Sequence, residues 1–142
     1  MAPVGSYESL HAAIDAGADA VYFGVEGLNM RARSSVNFTL ADLHEIARVC
    51  AAAGVKSYLT VNTIMYDADI PVCHAVIDAA RDAGLSAIIA SDIAAILYAR
   101  SIGVEVHIST QANISNIVAV RFYAQWADVV VLARELSMDQ VA

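Results

Sequence analysis

The 142-residue chain has no long apolar run, few cysteines and few basic residues, and each shortage removes a class of protein. Its apolar stretches are broken by Gly, Asp, Ser or charge, and none approaches the roughly 18 residues a membrane span requires. No membrane insertion is expected. Lys and Arg number 8 against 15 Asp and Glu, a formal charge of -7. Non-specific binding to nucleic acid needs a concentrated basic surface and is disfavoured, although a specific RNA contact through a locally basic rim stays open. Two cysteines, Cys50 and Cys73, give no metal-site spacing. Both fall in helix-like stretches, where free buried thiols are favoured over a disulfide. The start, MAPVGSYES, lacks a basic segment followed by an apolar one, so the expected compartment is the cytoplasm. Also missing are a dinucleotide fingerprint, since FGVEG carries only Gly24 and Gly27, a HExxH metal motif and a GxSxG nucleophile elbow. A serine or zinc peptidase of the familiar kinds therefore has no sequence support.

What is present is a hydrophobic content of 58%, enough for one globular domain with a core. It is arranged as a repeat. AGADAVYFGV, AGVKSYLTVN, AGLSAIIASD and IGVEVHISTQ each set a Gly, after a helical pattern, just ahead of a β-branched or aromatic run, and WADVVVLARE follows the same plan without the Gly. Glycine suits the left-handed position beyond a helix C-terminus, so Gly17, Gly54, Gly84 and Gly103 read as helix stops that feed strands. The helical patterns between are SYESLHAAIDA, TLADLHEIARVCAAA, IPVCHAVIDAARDA, DIAAILYARS and NISNIVAVRFYAQ. Ser6 and Thr39 offer capping hydroxyls with an acidic residue in the first turn, and Pro71 fits an early helix position.

Alternating strand and helix demand a parallel sheet, closed as a (β/α) barrel or open and doubly wound. GVEVHISTQ favours the barrel. An open sheet buries its central strands as continuous apolar runs, whereas barrel strands turn polar where they reach the mouth. With a period of two, Val106 and Ile108 face the helices while His107, Ser109 and Gln111 share the lumenal face. In KSYLTVNT, Leu59 and Val61 face outward and Thr60 and Asn62 inward. The fold class is thus α/β, an incomplete TIM-type barrel of five to six parallel strands, with an open parallel sheet as the alternative. Five strands are clear and MAPVG holds the rest of a sixth, against eight in the closed fold. Residues 1–142 accordingly read as the N-terminal portion of a barrel domain, ending inside a new helix opened by Ser137.

The polar residues at the mouth are the candidate site. His107 is placed for general acid or base work, with Gln111 nearest the mouth as its catalytic companion. Asn62, Ser109 and Thr110 can hold polar groups of a substrate. Arg31 and Arg33 sit in the long loop after VYFGV, where guanidinium forks suit a carboxylate or phosphate, and Asn37 can close the same loop over a ligand. Arg134 and Glu135 follow the last apolar strand, Arg134 as a ligand contact and Glu135 as a brace of the rim. Asp92 reads as an N-cap, and His11, His44 and His74 as helix-surface residues.

APVGSYESLHAAIDAGADAVYFGV, LNMRARSSVNFTLADL, VNTIMYDAD, VHISTQANISN and VVLARELSMDQV, in that order, resemble the N-terminal part of the collagenase-like peptidase family, peptidase family U32. The resemblance implies a barrel-type catalytic domain whose later portion, absent here, carries cysteines for a [4Fe-4S] cluster. Cys50 and Cys73 do not correspond to those ligands. It implies an iron-sulfur-dependent, oxygen-independent hydroxylase: members act on a tRNA wobble uridine with prephenate, on ribosomal RNA or on a ubiquinone precursor. The alternatives are a collagenase-like peptidase and a non-catalytic αβ binding domain. Expected partners are tRNA or rRNA or an accessory subunit, and the short chain alone is expected to be inactive and to self-associate through open sheet edges.

Overall fold

The fold is taken from a computed structural model, which describes residues 1–25, 38–62, 65–134 and 136–141. Strands β1 (Ala2–Pro3), β2 (Ala20–Phe23), β3 (Lys56–Val61), β4 (Ala87–Ala90), β5 (Val106–Ile108) and β6 (Val129–Val130) alternate with helices α1 (Tyr7–Asp15), α2 (Leu43–Ala53), α3 (Ile70–Ala83), α4 (Ile93–Ser101), α5 (Ile117–Ala124) and α6 (Met138–Val141).

The helix ends follow from local chemistry. Gly54 and Gly84 take φ of 70° and 78° directly after α2 and α3, a conformation that only a residue without Cβ adopts freely, and Gly17 and Gly103 do the same. At the start of α1 the Ser6 hydroxyl accepts from the Ser9 amide at 3.1 Å, and the Ser9 hydroxyl accepts from the Ser6 amide at 3.0 Å. The box is closed by Ser9, leaving Glu8 as the acidic residue of the first turn. Thr39 opens a 3-10 turn, Leu40–Asp42, that runs into α2. Helix α5 begins later than NISN suggests. Asn113 sits at φ 53° and ends a 3-10 turn, Thr110–Ala112, while Asn116 makes the cap by accepting from the Ala119 amide at 2.9 Å.

All strand pairs are parallel and the spatial order is β1-β2-β3-β4-β5-β6. This order decides the architecture. A doubly wound sheet reverses direction at a switch point and so covers both faces, whereas steps always in one direction with right-handed crossovers put every helix on one face. The described strands accordingly form an arc of a (β/α) barrel, six strands against the eight of closure.

The core is one-sided in agreement. Val21 and Phe23, Leu59 and Val61, Ile88 and Ala90, and Val106 and Ile108 are the outward residues of β2 to β5, and all eight are fully buried. They pack against Leu10 of α1, Leu43, Ile46 and Cys50 of α2, Cys73, Val76, Ile77 and Ala80 of α3, and Ile96 of α4. Each such Leu or Ile contributes about 1.5–3 kcal/mol by leaving water. Helix α5 buries no residue fully, so this layer thins toward β6.

Candidate active site on the inner sheet face

The residues between the buried ones point to the inner face. Parallel register sets Thr60 of β3 opposite Ile89 of β4, Ile89 opposite His107 of β5, and His107 opposite Val129 of β6, so one row crosses four strands. A second row, one step nearer the strand N-termini, runs through Tyr22, Tyr58 and Ala87. Above the first row lies a cavity of about 240 Å³, lined by Met1, Tyr22, Thr60, Asn62, Ile89, His107, Ser109, Thr110 and Val131. It occupies the C-terminal strand ends, where barrels place their chemistry.

His107 projects into this face as the period-two reading expects, while Val106 and Ile108 point into the helix layer. Its Nε2 lies 2.8 Å from Glu105 Oε1, and its ring meets Tyr58 at a centroid distance of 4.8 Å. Ser109 is buried at the end of β5, where its hydroxyl accepts from the Gln111 amide at 3.2 Å and winds the chain into the 3-10 turn. Thr60 donates to the Phe23 carbonyl at 3.0 Å, tying β3 to β2 beneath the cavity. Across the rim the Ser91 hydroxyl donates to the Asn62 carbonyl at 3.2 Å.

Asn62, His107, Ser109 and Thr110 are thus brought together. Gln111 is not: it is exposed and does not line the cavity. The alternation that would have aimed it inward stops at Ile108, because the turn capped by Ser109 replaces extended backbone by 3-10 backbone. Arg134 lies in a turn beyond β6, exposed and away from the cavity lining. Arg31, Arg33, Asn37 and Glu135 lie outside the described residues. Asp92 is the cap expected of it, accepting from the Ala94 amide at 2.8 Å.

Tyr22 and Ile89 were missed as lining residues, and Glu105, exposed and outside the lining, was missed as the partner of His107. The signal was available for all three: Tyr22 alternates with Val21 and Phe23, Ile89 with Ile88 and Ala90, and Glu105 stands two residues before His107 on the same face. Aromatic and aliphatic residues simply do not announce a wall, and a charged residue at a strand start reads as solvent-facing.

The two thiols belong to the other side of the sheet. Cys50 and Cys73 are free and buried in the core beneath the helices. Burial raises both, Cys73 to about 11 with the Asp92 charge adding to the effect, so neither is an available thiolate. A [4Fe-4S] cluster requires four thiolates at one place, and these two residues do not fit it. Among the described residues no group of three His, Cys, Asp or Glu could hold a metal ion, and no helix is long and apolar enough to cross a membrane.

A one-directional arc of parallel strands, with a cavity at the C-terminal strand ends that carries polar groups on a largely apolar lining, defines the barrel class of α/β proteins. The sequence profile of Peptidase family U32 matches residues 5–142, and the chain belongs to that family. It is 71% identical over 141 residues to a collagenase of Porphyromonas gingivalis, covering 99% of this chain and 34% of that protein. A tRNA hydroxylation protein of Bacillus subtilis is 36% identical over 144 residues, covering 99% of this chain and 34% of the relative. An rRNA 5-hydroxycytidine synthase of Escherichia coli is 33% identical over 126 residues, covering 88% of this chain and 19% of the relative. Among solved structures, a U32 peptidase matches with a TM-score of 0.73 at 14% identity, over 92% of this chain and 56% of the other, a likeness of fold. The chain spans about a third or less of the length of these curated relatives.

Proposed function

We propose that the chain supplies the first αβ units of an iron-sulfur-dependent, oxygen-independent RNA hydroxylase, its inner face forming one wall of the chamber that receives the target base. The observation that carries this reading is what His107 touches. Its only hydrogen-bond partner among the described residues is a carboxylate, and no hydroxyl or thiol is joined to it, so the cavity offers a few polar groups on an apolar wall and no activated nucleophile among those residues. Acyl transfer to a side chain lacks its first requirement there. Two kinds of RNA-hydroxylating relative support the substrate class, and the acidic balance of the chain favours recognition by a local site over adhesion along the backbone.

In this reading His107 exchanges a proton with the bound base, while Asn62 and Thr110 offer hydrogen bonds to it. The cluster ligands come from residues beyond these 142, since the two cysteines present face the core. Arg31 and Arg33, which lie outside the described residues, are the basic groups proposed to meet prephenate, a dicarboxylate, as co-substrate, and the position of Arg134 away from the cavity lining removes it from that role. A cytoplasmic location is part of the same reading, since that is where an RNA substrate would be met.

The test is genetic and chemical. Deleting the gene should remove one hydroxylated pyrimidine from tRNA or rRNA digests read by mass spectrometry, and the full-length gene should restore it. Restoration by the His107→Ala variant at wild-type level would rule out the role given to His107. The Porphyromonas gingivalis relative favours a second reading, a collagenase-like peptidase. Unchanged RNA together with cleavage of a collagen peptide by the purified full-length protein would establish it instead.

A further inference from the structure

The structure assigns Glu105 as a positioning residue that fixes His107 in a single tautomer, with Nδ1 presented as a bare acceptor to the cavity. This rests on the reading of the inner face as the reaction chamber, but its first test does not. Glu105, an exposed residue just ahead of β5, stands two residues before His107 on the same side of the chain, and its Oε1 lies 2.8 Å from His107 Nε2. A carboxylate only accepts, so the shared hydrogen belongs to Nε2. In the neutral ring Nδ1 is then unprotonated.

Nothing else among the described residues bonds to Nδ1, since the contacts of His107 are Glu105 and the Tyr58 ring. Among the described residues every fully enclosed side-chain nitrogen or oxygen has a partner, so an unpartnered Nδ1 is open. The ring that carries it lines the cavity and is only 12% exposed. Tyr58 stands beside it, tilted by 46° at a centroid distance of 4.8 Å, and the carboxylate meets its edge.

The ligand class follows. Nδ1 accepts from an N–H or O–H donor of a ligand in the cavity, whose walls include Tyr22 of β2 and Ser109 and Thr110 just beyond β5. If that proton transfers fully, the ring becomes an imidazolium and its second N–H stays on the Glu105 carboxylate, so the new charge is neutralised where it forms. The ionisable side chains around the ring are Glu105, two residues before it, Tyr58 on β3, which meets it, and Tyr22 on β2, which lines the same cavity.

The experiment uses the full-length protein with ¹⁵N-labelled histidine. Long-range ¹H–¹⁵N correlation spectra, assigned with the His107→Gln variant, should show a pyrrole-like Nε2 and a pyridine-like Nδ1. Glu105→Ala should give a mixture of tautomers, and Glu105→Gln, whose carbonyl still accepts from Nε2–H, should restore the single form. A protonated Nδ1 in the neutral wild-type ring, or an unchanged spectrum in Glu105→Ala, overturns the assignment whatever the protein's activity. With RNA turnover as readout, Glu105→Ala should lower kcat about tenfold or more with a smaller change in KM, and Glu105→Gln should recover most of it. If the tautomer behaves as stated but no RNA is modified, the positioning stands and the hydroxylase reading fails.

Discussion

Tyr7 and Asp42 show how a single side-chain pair can anchor two segments far apart in sequence. The Tyr7 hydroxyl donates to Asp42 Oδ1 at 2.8 Å, and Asp42 Oδ2 accepts from the Thr39 amide at 2.8 Å, so one carboxylate joins α1 to the entry of α2. Below the hydroxyl, the Tyr7 ring meets Phe38 edge-on at 5.3 Å, and Phe38 meets Phe23 at 5.6 Å. The Thr39 amide, then the hydroxyls of Tyr7 and Thr39, hold Asp42 below the usual carboxylate range against an opposing push from burial. Burial first, and then the bond to Asp42, push Tyr7 up to about 12. The signs define a window. A depressed carboxylate stabilises above its unfolded value and loses that contribution as pH falls through the folded one, below about pH 4. A raised phenol stabilises below its unfolded value and loses that contribution between about pH 10 and 12. Tyr7→Phe keeps the ring stack and removes the bond, so it should cost about 1 kcal/mol near neutrality. In urea unfolding, the gap between wild type and variant should narrow at both ends of the pH scale. A gap that stays constant from acid to alkali would show that the hydroxyl is not coupled to Asp42.

At the scale of elements, boundaries set by backbone chemistry were readable and those set by a competing turn were not. A glycine after a helical pattern has one conformational use, and all four positions hold to it. Asn113 could cap a helix or sit left-handed at the end of a turn, and sequence does not say which; Ser109 decides by nucleating the turn. The same event hid the true position of Gln111, while His107, on the strand itself, and Ser109, one residue beyond it, both line the cavity. Asp92 illustrates a cap that does more than its helix requires. Its Oδ1 accepts from the Ala94 amide at 2.8 Å, and its Oδ2 accepts from the Met65 amide at 3.1 Å, so the start of α4 also holds the segment after β3. Asp92→Ala should lower stability by about 1–2 kcal/mol. Asp92→Ser, which keeps a capping oxygen but is too short to serve both amides, should lie between Ala and wild type in urea midpoint. Equal midpoints for Ala and Ser would mean that the cap itself contributes nothing.

The whole molecule has an imbalance that neither residue nor element reveals. Helices cover one face of the sheet, and the opposite face carries Tyr22, Ile89, Val129 and Val131 without a layer over them among the described residues. Among the described residues strand β1 pairs only with β2 and β6 only with β5, leaving two edges whose backbone groups can template pairing with another chain. Near the β6 edge the apolar exposure is greatest: Ile117, Val118 and Phe122 of α5 stand in solvent, with Met138 and Val141 of α6 beyond them. In a closed barrel the last strand of such an arc pairs with the next, and a further helix packs beside α5. The 142-residue chain on its own should therefore associate and unfold over a broad range, while a version extended to the length of the U32 relatives should be better behaved in both respects. Light scattering and calorimetry on the two forms decide the matter. A monomeric short form with a sharp transition equal to that of the long form would show that the arc is self-sufficient, and that its open edges and bare inner face are tolerated without closure.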